Sequence, residues 1–372
     1  MAKIDTIDDT GHERLTAFDA IIDVRSPDEF NEDHIPGAVN LPVLSNEERA
    51  EVGAIYKQQS KFIARKIGAA HVSRNIARHL DTYFKDKPRD FHPLIYCWRG
   101  GMRSGTMATI LSQVGWCCTL LEGGYKTWRR NVVASLHDHK SLLNVMLIDG
   151  QTGAGKTELL RHAKSLGAQT IDLEDYAAHR GSVFGAEAMR PQPSQKLFES
   201  LLCRDLQSFA PDKPVLIEAE SNRIHRCQIP KRLWASMRAA PHILVTATPE
   251  ARAHAIVKSY RDQIDTPGAI QSAIERLRSF HPKPLIEEWQ AMDADKQYLS
   301  LAESLIRHHY DPLYDRSRKR RASAPITIIE LDPRDEGSLK PAAKEAVSAT
   351  AQVNCNQGLA SAKLKQNNGD CS

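Results

Sequence analysis

What this chain lacks narrows it before any motif is read. It has no apolar run approaching twenty residues, so no membrane-spanning helix is expected. Its first residues, Met1-Ala2-Lys3-Ile4-Asp5-Thr6, carry no apolar leader core, and the chain is read as cytoplasmic. No two of its 7 cysteines form a C-x-x-C pair, so no structural zinc site is expected. An odd cysteine count in no tight framework argues against a disulfide scaffold and fits a reducing compartment. Charge of one sign is missing too: 50 Lys and Arg against 46 Asp and Glu leave a net +4, which permits a nucleic-acid partner without arguing for one. No internal repeat is visible. What remains is 372 residues, 41% hydrophobic and 26% charged, enough for two ordinary cores.

Short apolar strands alternate with helical periodicity along most of the chain, which argues parallel α/β architecture. Strands are expected at 20–24, 94–96 and 117–121, with helices over 42–52, 66–84 and 104–114. The polar stretch 135–141 reads as a joint. Beyond it strands are expected at 144–149, 169–172, 214–218 and 242–247, then mainly helix: 250–261, 269–280 and 285–309. The division is therefore 1–135, 140–330 with a helical C-terminal part, and 334–372. That last segment, rich in Ala, Ser, Lys, Asn and Gln and holding Cys355 and Cys371, is expected to be disordered.

Two phosphate-cradling loops follow apolar strands. In Ile95-Tyr96-Cys97-Trp98-Arg99-Gly100-Gly101-Met102-Arg103-Ser104, the thiol of Cys97 meets a turn and a helix N-terminus. First-turn N–H groups stabilise a thiolate, Arg99 and Arg103 add positive charge, and Gly100 and Gly101 let N–H groups converge on an anion. In Gly150-Gln151-Thr152-Gly153-Ala154-Gly155-Lys156-Thr157, a full G-x-x-x-x-G-K-T lies between a strand and an apolar-periodic helix. Gly150, Gly153 and Gly155 shape the loop, its N–H groups wrap phosphate oxygens, Lys156 supplies charge and the Thr157 hydroxyl a Mg2+ ligand. Glu218, with Glu220 close behind, is the candidate carboxylate for that metal. Asp172, His179, Arg180 and Ser182 lie in a glycine-punctuated stretch expected beside this loop.

A third feature is Arg316-Ser317-Arg318-Lys319-Arg320-Arg321, five cations in six residues. Arg316, Arg318, Lys319, Arg320 and Arg321 are candidate RNA-phosphate contacts, to which Arg276, Arg278 and Lys283 would add.

Asp23-Val24-Arg25-Ser26-Pro27-Asp28-Glu29-Phe30, His34-Ile35-Pro36-Gly37-Ala38 and Gly123-Gly124-Tyr125-Lys126-Thr127-Trp128 resemble the signature segments of rhodanese-type sulfurtransferase domains. That resemblance covers about the first 130 residues and implies a persulfide-type intermediate on Cys97. Cys97 to Arg103 is C-x5-R, one residue longer than the commonest rhodanese loop and similar to the loop of phosphatases on the same fold. It should admit a bulkier, phosphate-like anion, although Tyr96 stands where many cysteine phosphatases have histidine. Asp23 and Arg25 read as a structural pair, and Cys117 and Cys118 as structural thiols in a strand.

The order of parts, with Ile55-Tyr56-Lys57-Gln58-Gln59-Ser60 and His179-Arg180-Gly181-Ser182, resembles the bacterial tRNA 2-selenouridine synthases over about residues 10–325. This implies a rhodanese-like domain fused to a P-loop domain and a tRNA-modifying transferase that replaces sulfur by selenium in wobble 2-thiouridine. It also implies selenophosphate and geranyl diphosphate as co-substrates, no prosthetic group, and tRNA and the selenophosphate-producing enzyme as partners, with no membrane. A prenyl groove along Phe62, Ile63, Ile67 and Gly68 is an expectation of the same kind. Two other classes stay open: a rhodanese-type sulfurtransferase with a kinase-like ATP-binding domain, and a non-catalytic anion-binding module.

Overall fold

The computed structural model describes residues 2–137, 141–185, 190–318 and 323–350. The chain divides into two compact units. One comprises residues 1–138 together with 194–208, and the other residues 139–193 and those from 209 onward. Among the described residues no helix is long and apolar enough to cross a membrane.

The first unit is a five-stranded parallel sheet. Its strands are β1 (Ile4–Ile7), β2 (Ala20–Asp23), β3 (Val39–Asn40), β4 (Pro93–Tyr96) and β5 (Cys118–Leu121), in the order β1-β5-β4-β2-β3. Every residue of central β4 is buried, as expected of a strand covered on both faces. Ile22, Val24, Ile95, Met107 and Leu111 form the core with Phe84 and Trp116. The edge strand β1 carries too weak a sequence signal to be expected, because its four residues, Ile-Asp-Thr-Ile, form neither an apolar run nor an alternation.

Two helices, Asn46–Gln58 and Lys61–Asp81, form a hairpin. They begin elsewhere than at 42 and 66 because serines cap them. Ser45 forms a capping box with Glu48, and the Ser60 hydroxyl accepts from the N–H groups of Phe62 and Ile63. The helix Gln195–Ser208 also belongs to this unit, packing on Tyr125–His137. There the indole N–H of buried Trp128 donates to Ser200 (3.1 Å), and Arg129 pairs with Glu199. This corrects the division by sequence order, which places residues 195–208 in the P-loop domain.

The second unit holds another parallel sheet. Its main strands are β6 (Val145–Gly150), β7 (Gln169–Ile171), β8 (Val215–Glu218), β11 (His242–Thr246) and β12 (Thr327–Glu330), in the order β12-β11-β6-β8-β7. Between them lies a small antiparallel ribbon, β9 (Arg223–Ile224) and β10 (Cys227–Gln228). The expected long helix over 285–309 is broken into Lys283–Ala294 and Tyr298–Leu305, with Lys296 at φ 57° in the break, and then becomes a π-helix at Ile306–Tyr310. The expected disordered tail, 334–372, needs correction up to residue 350, and the rest of it lies outside the described residues. Residues 336–350 are helical, and Leu339, Ala342, Ala343, Ala346 and Ala349 are buried on the core built by Met146, Ile148 and Ile329. Alanine gives little apolar bulk, yet it is the best helix former and fits a close helix–sheet contact. Cys355 and Cys371 lie outside the described residues.

Candidate functional site

Cys97 follows directly on β4, at the C-terminal edge of the first sheet, and is only 3% exposed. The loop returns its backbone to the sulfur. The N–H of Gly101 approaches Sγ at 3.3 Å, and the Ser104 hydroxyl, in the first turn of the helix Met102–Val114, at 3.2 Å. Burial pushes the thiol up. Hydrogen bonds from the Ser104 side chain and from the backbone of Ser104, Arg99 and Gly101 outweigh it and bring Cys97 below the usual thiol range. Buried Cys118, Cys203 and Cys227 have no such cradle, and burial raises them to about 12, about 11 and about 11. Cys117 is exposed.

The segment Gly123-Gly124 closes the floor of this loop. Gly124 sits at φ 59°, and a Cβ there would come within 2.2 Å of the Cys97 carbonyl oxygen and 2.6 Å of the Gly100 nitrogen. The Tyr125 N–H donates to that carbonyl (2.8 Å). Only glycine allows two backbones this close.

The arginines divide. Arg99 is exposed and serves the thiolate through its backbone. Arg103 donates to Glu29 at 2.8 and 3.4 Å, and Arg49 closes on the same carboxylate at 2.9 Å. Burial raises the Glu29 carboxyl, but Arg103, the Ser26 backbone and Arg49 overcome this and hold it low. The charge of Arg103 is thus largely spent on Glu29. Asp23 and Arg25 form a buried bidentate pair, the Arg25 guanidinium lying 4.1 Å from the Tyr125 ring. The Tyr96 hydroxyl accepts from the Ile35 N–H (3.1 Å), so it holds the wall of the site and has no reach to a substrate.

The motif alone assigns no role to Ser104, although that residue stands only seven positions after the thiol. Ser104→Ala is expected to raise the Cys97 thiol, because a donor to the charged form is removed. The acid limb of a thiol-alkylation profile should move to higher pH, with the rate at pH 7 falling about tenfold. An unmoved limb would mean that the backbone N–H groups alone set the thiolate.

In the second unit, β6 ends in Asp149-Gly150 and the loop runs to the helix Lys156–Ser165. Gly153 and Gly155 adopt φ 80° and 87°, and a Cβ on Gly153 would meet the Arg252 carbonyl oxygen at 2.8 Å. The Lys156 ammonium donates to the carbonyls of Gly150 (2.9 Å) and Gln151 (3.4 Å). Arg252, buried and part of no motif, braces the loop: Nε donates to the Thr152 carbonyl (2.9 Å) while its other nitrogens bind Asp311 (2.6 and 3.0 Å).

Glu218 ends β8 fully buried, and its Oε1 accepts from the Glu174 N–H (2.7 Å), capping the helix Leu173–Ala177. Asp172, Glu174, Glu218 and Glu220 crowd together. Burial pushes all four carboxyls up, the neighbouring carboxylates of the cluster add to the rise at Glu174 and Glu218, and Lys156 partly offsets it at Glu174 and Glu220. Among the described residues no group of three or more His, Cys, Asp or Glu is arranged to hold a metal ion.

A cavity of about 1390 Å3 opens over this loop. Gly150, Gly153, Lys156 and Thr157 line it on one side, with Asp172, Glu174, Arg180 and Ser182. Val183, Ile256, Tyr260, Tyr310 and Leu313 supply an apolar side. Arg180 pairs with Asp262 (2.9 Å), and Ser182 hydrogen-bonds the Tyr260 hydroxyl (2.7 Å). His179 is buried against the parallel ring of His225 (4.9 Å), and burial with neighbouring His225, Arg180 and Arg276 holds it neutral, at about 4.

Of the basic run, Arg318 lines the same cavity, Arg316 is exposed, and Lys319, Arg320 and Arg321 lie outside the described residues. The supplementary cations are engaged locally: Arg276 with the Val183 carbonyl, Arg278 with Glu275, Lys283 with Glu287. The expected prenyl groove also needs correction. Phe62 (74% exposed) and Ile63 (39%) stand out from the surface, and Gly68 is buried, a Cβ there meeting the Val52 side chain at 3.5 Å.

The geometry agrees with comparisons to known proteins. Residues 8–131 match the model of the rhodanese-like domain, and residues 143–283 that of the tRNA 2-selenouridine synthase AAA domain. A tRNA 2-selenouridine synthase of Nitrosomonas europaea is 31% identical over 367 residues, spanning 85% of this chain and 94% of the relative. One of Hahella chejuensis is 37% identical over 248 residues (64% and 63%), and one of Pseudomonas syringae pv. syringae 29% over 332 (82% and 89%). An activated thiol on a rhodanese-like sheet, joined to a glycine-bent phosphate loop and aligned with these relatives over most of its length, makes this chain a member of the tRNA 2-selenouridine synthase family.

Proposed function

We propose that this protein exchanges sulfur for selenium in wobble 2-thiouridine of tRNA in two steps, each served by one loop. The phosphate loop takes the diphosphate of geranyl diphosphate, and the apolar side of the same cavity takes its hydrocarbon. The thione sulfur attacks C1 of the geranyl group, the C1–O bond breaks, diphosphate leaves, and N3 of the base loses its proton. Lys156 and the loop N–H groups stabilise the charge that develops on the leaving diphosphate. Thr157, with Glu218 behind it, would hold a Mg2+ ion, which would supply further charge neutralisation there.

Selenophosphate belongs to the Cys97 loop, where convergent N–H groups suit an oxyanion. The thiolate attacks phosphorus, the S–P bond forms as the P–Se bond breaks, and hydrogen selenide is released within the site. Its selenium attacks C2 of the S-geranylated base. The C2–S bond breaks, and the thiolate takes the proton of hydrogen selenide to leave as geranylthiol. N3 regains a proton from water, and water cleaves the S–P bond to give phosphate and free Cys97. No net oxidation occurs.

The observation that supports this most is the thiol. Among the described cysteines Cys97 alone is lowered while buried, as a nucleophile requires. The test is reconstitution with a 2-thiouridine anticodon stem-loop and mass spectrometry of its nucleosides. Geranyl diphosphate alone should yield S-geranyl-2-thiouridine, and adding selenophosphate should yield 2-selenouridine. Selenouridine formed equally well without geranyl diphosphate would refute the two-step route.

A further inference from the structure

The turn of the helical hairpin carries a surface that no internal packing explains. Tyr56 and Lys57 close its first helix, and Lys61, Phe62, Ile63, Arg65 and Lys66 open its second. All seven are exposed, Phe62 to 74% and Tyr56 to 46%. Large apolar side chains standing this far into water are unfavourable unless something covers them.

The charges are equally unsettled. Among the described residues Lys57, Lys61, Arg65 and Lys66 have no carboxylate within ion-pairing distance, whereas exposed arginines elsewhere do: Arg261 with Asp265, Arg278 with Glu275, Arg334 with Asp332. Lys61 and Arg65 are like charges four residues apart, a destabilising pair. The first turn of their helix holds no acidic residue, so these cations oppose the helix dipole. Lys61 lies over the Tyr56 ring, 5.7 Å away. Rings interleaved with unpaired cations match what unstacked bases and phosphates require: stacking faces and charge neutralisation.

The base of the hairpin is tied to the cysteine loop. Asn46 accepts from the Asp28 N–H (3.0 Å), and Arg49 meets Glu29, which also holds Arg103. From Arg49 to the turn is about 14 Å of helix at 1.5 Å per residue. One RNA loop presenting a base at Cys97 would reach the turn with its neighbouring nucleotides.

We infer that the hairpin turn, through Lys61, Arg65 and Lys66 with Phe62 and Tyr56, is a docking surface for the single-stranded loop of the anticodon arm. This rests on the tRNA reading of the protein. An anionic membrane is the weaker fit, since three apolar side chains at a turn do not make the continuous apolar face of an interfacial helix.

The test is fluorescence anisotropy of a labelled 2-thiouridine anticodon stem-loop with the full chain, over a series of salt concentrations. Lys61→Ala/Arg65→Ala/Lys66→Ala should weaken binding at least tenfold near 0.1 M salt. The same triple variant should flatten the salt dependence by about two to three in log–log slope, roughly one for each phosphate it no longer neutralises. Phe62→Ala should weaken binding about five- to hundredfold with the slope unchanged, as removal of a stacking platform does. Lys340→Ala/Lys344→Ala, equally exposed on the helix over 336–350, should bind as wild type does. Melting temperatures equal to that of the wild type would exclude misfolding of the variants. Variants that bind RNA as wild type does overturn the hairpin assignment, as does a defect confined to phosphatidylserine vesicles. Failure of the wild-type chain to bind the RNA refutes the tRNA reading itself.

Discussion

Replacing Cys97 by alanine is expected to lower 2-selenouridine formation by about three orders of magnitude or more while S-geranyl-2-thiouridine accumulates. The size follows from the cradle around Cys97, which no other buried cysteine among the described residues shares. Cys118, Cys203 and Cys227 are buried and raised well above neutrality, so none offers a thiolate near pH 7. The accumulation follows from the division of labour, since the alanine variant keeps the phosphate loop whole. Stability should change little, because the loop is held by backbone contacts to Gly124 and Tyr125 that do not involve the sulfur. Cys97→Ser is the sharper control: it keeps the shape and gives up the acidity, and it should be as inactive as alanine. Nucleoside mass spectrometry reads both outcomes, and a Cys97→Ala enzyme that still makes selenouridine at a tenth of the normal rate would remove the thiolate from the reaction.

The complementary variant is Lys156→Ala. It should reduce geranyl transfer about 10²- to 10³-fold, the usual consequence of deleting a charged donor aimed at a leaving group. Unlike the cysteine variant it should leave 2-thiouridine unmodified. A second effect has a definite sign. Lys156 lowers the carboxyls of Glu174 and Glu220, so its removal raises them further and leaves this corner more protonated at neutral pH. Lys156→Arg keeps the charge but not the compact reach to the carbonyls of Gly150 and Gln151, and should fall between. Normal S-geranylation by Lys156→Ala would place the diphosphate elsewhere. The two variants thus stop at different nucleosides, and one digest of the RNA distinguishes them.

The inner strands of both sheets were legible because buried parallel strands are short apolar runs with turn residues at their ends, as in Leu94-Ile95-Tyr96 before Cys97 and Val145 to Ile148 before Gly150, whereas the edge strands β1, β3 and β12 were not. The two loops were legible for the same reason that they are built of glycine: a backbone that must pass 2.2 Å from where a side chain would begin leaves a mark in the sequence. Contacts made at long range leave none. Arg252 reaches Thr152 across 100 residues of chain, and its surroundings in the sequence, a helix start after Thr248-Pro249, do not name that partner. The helix over 336–350 is hidden when only large apolar side chains are read as core, because a helix lying close on a sheet selects small residues such as Ala342, Ala343 and Ala346. The hairpin turn errs in the opposite direction: the apolar character of Phe62 and Ile63 suggests the lining of a groove, and both face outward.

The helix Gln195–Ser208 has a consequence for how the molecule is made. It is encoded after the phosphate loop yet completes the first unit, where it covers Trp128. A ribosome that has released residue 138 has not yet made the piece that seals this core. At about 5–20 residues per second, synthesis runs on for seconds with the Trp128 side of the nascent unit uncovered. Residues 139–193, meanwhile, have emerged without β8, the partner of β6 and β7. Neither unit can finish before the other has begun, so this gene cannot be cut into two independent coding segments at any single point without stranding a helix.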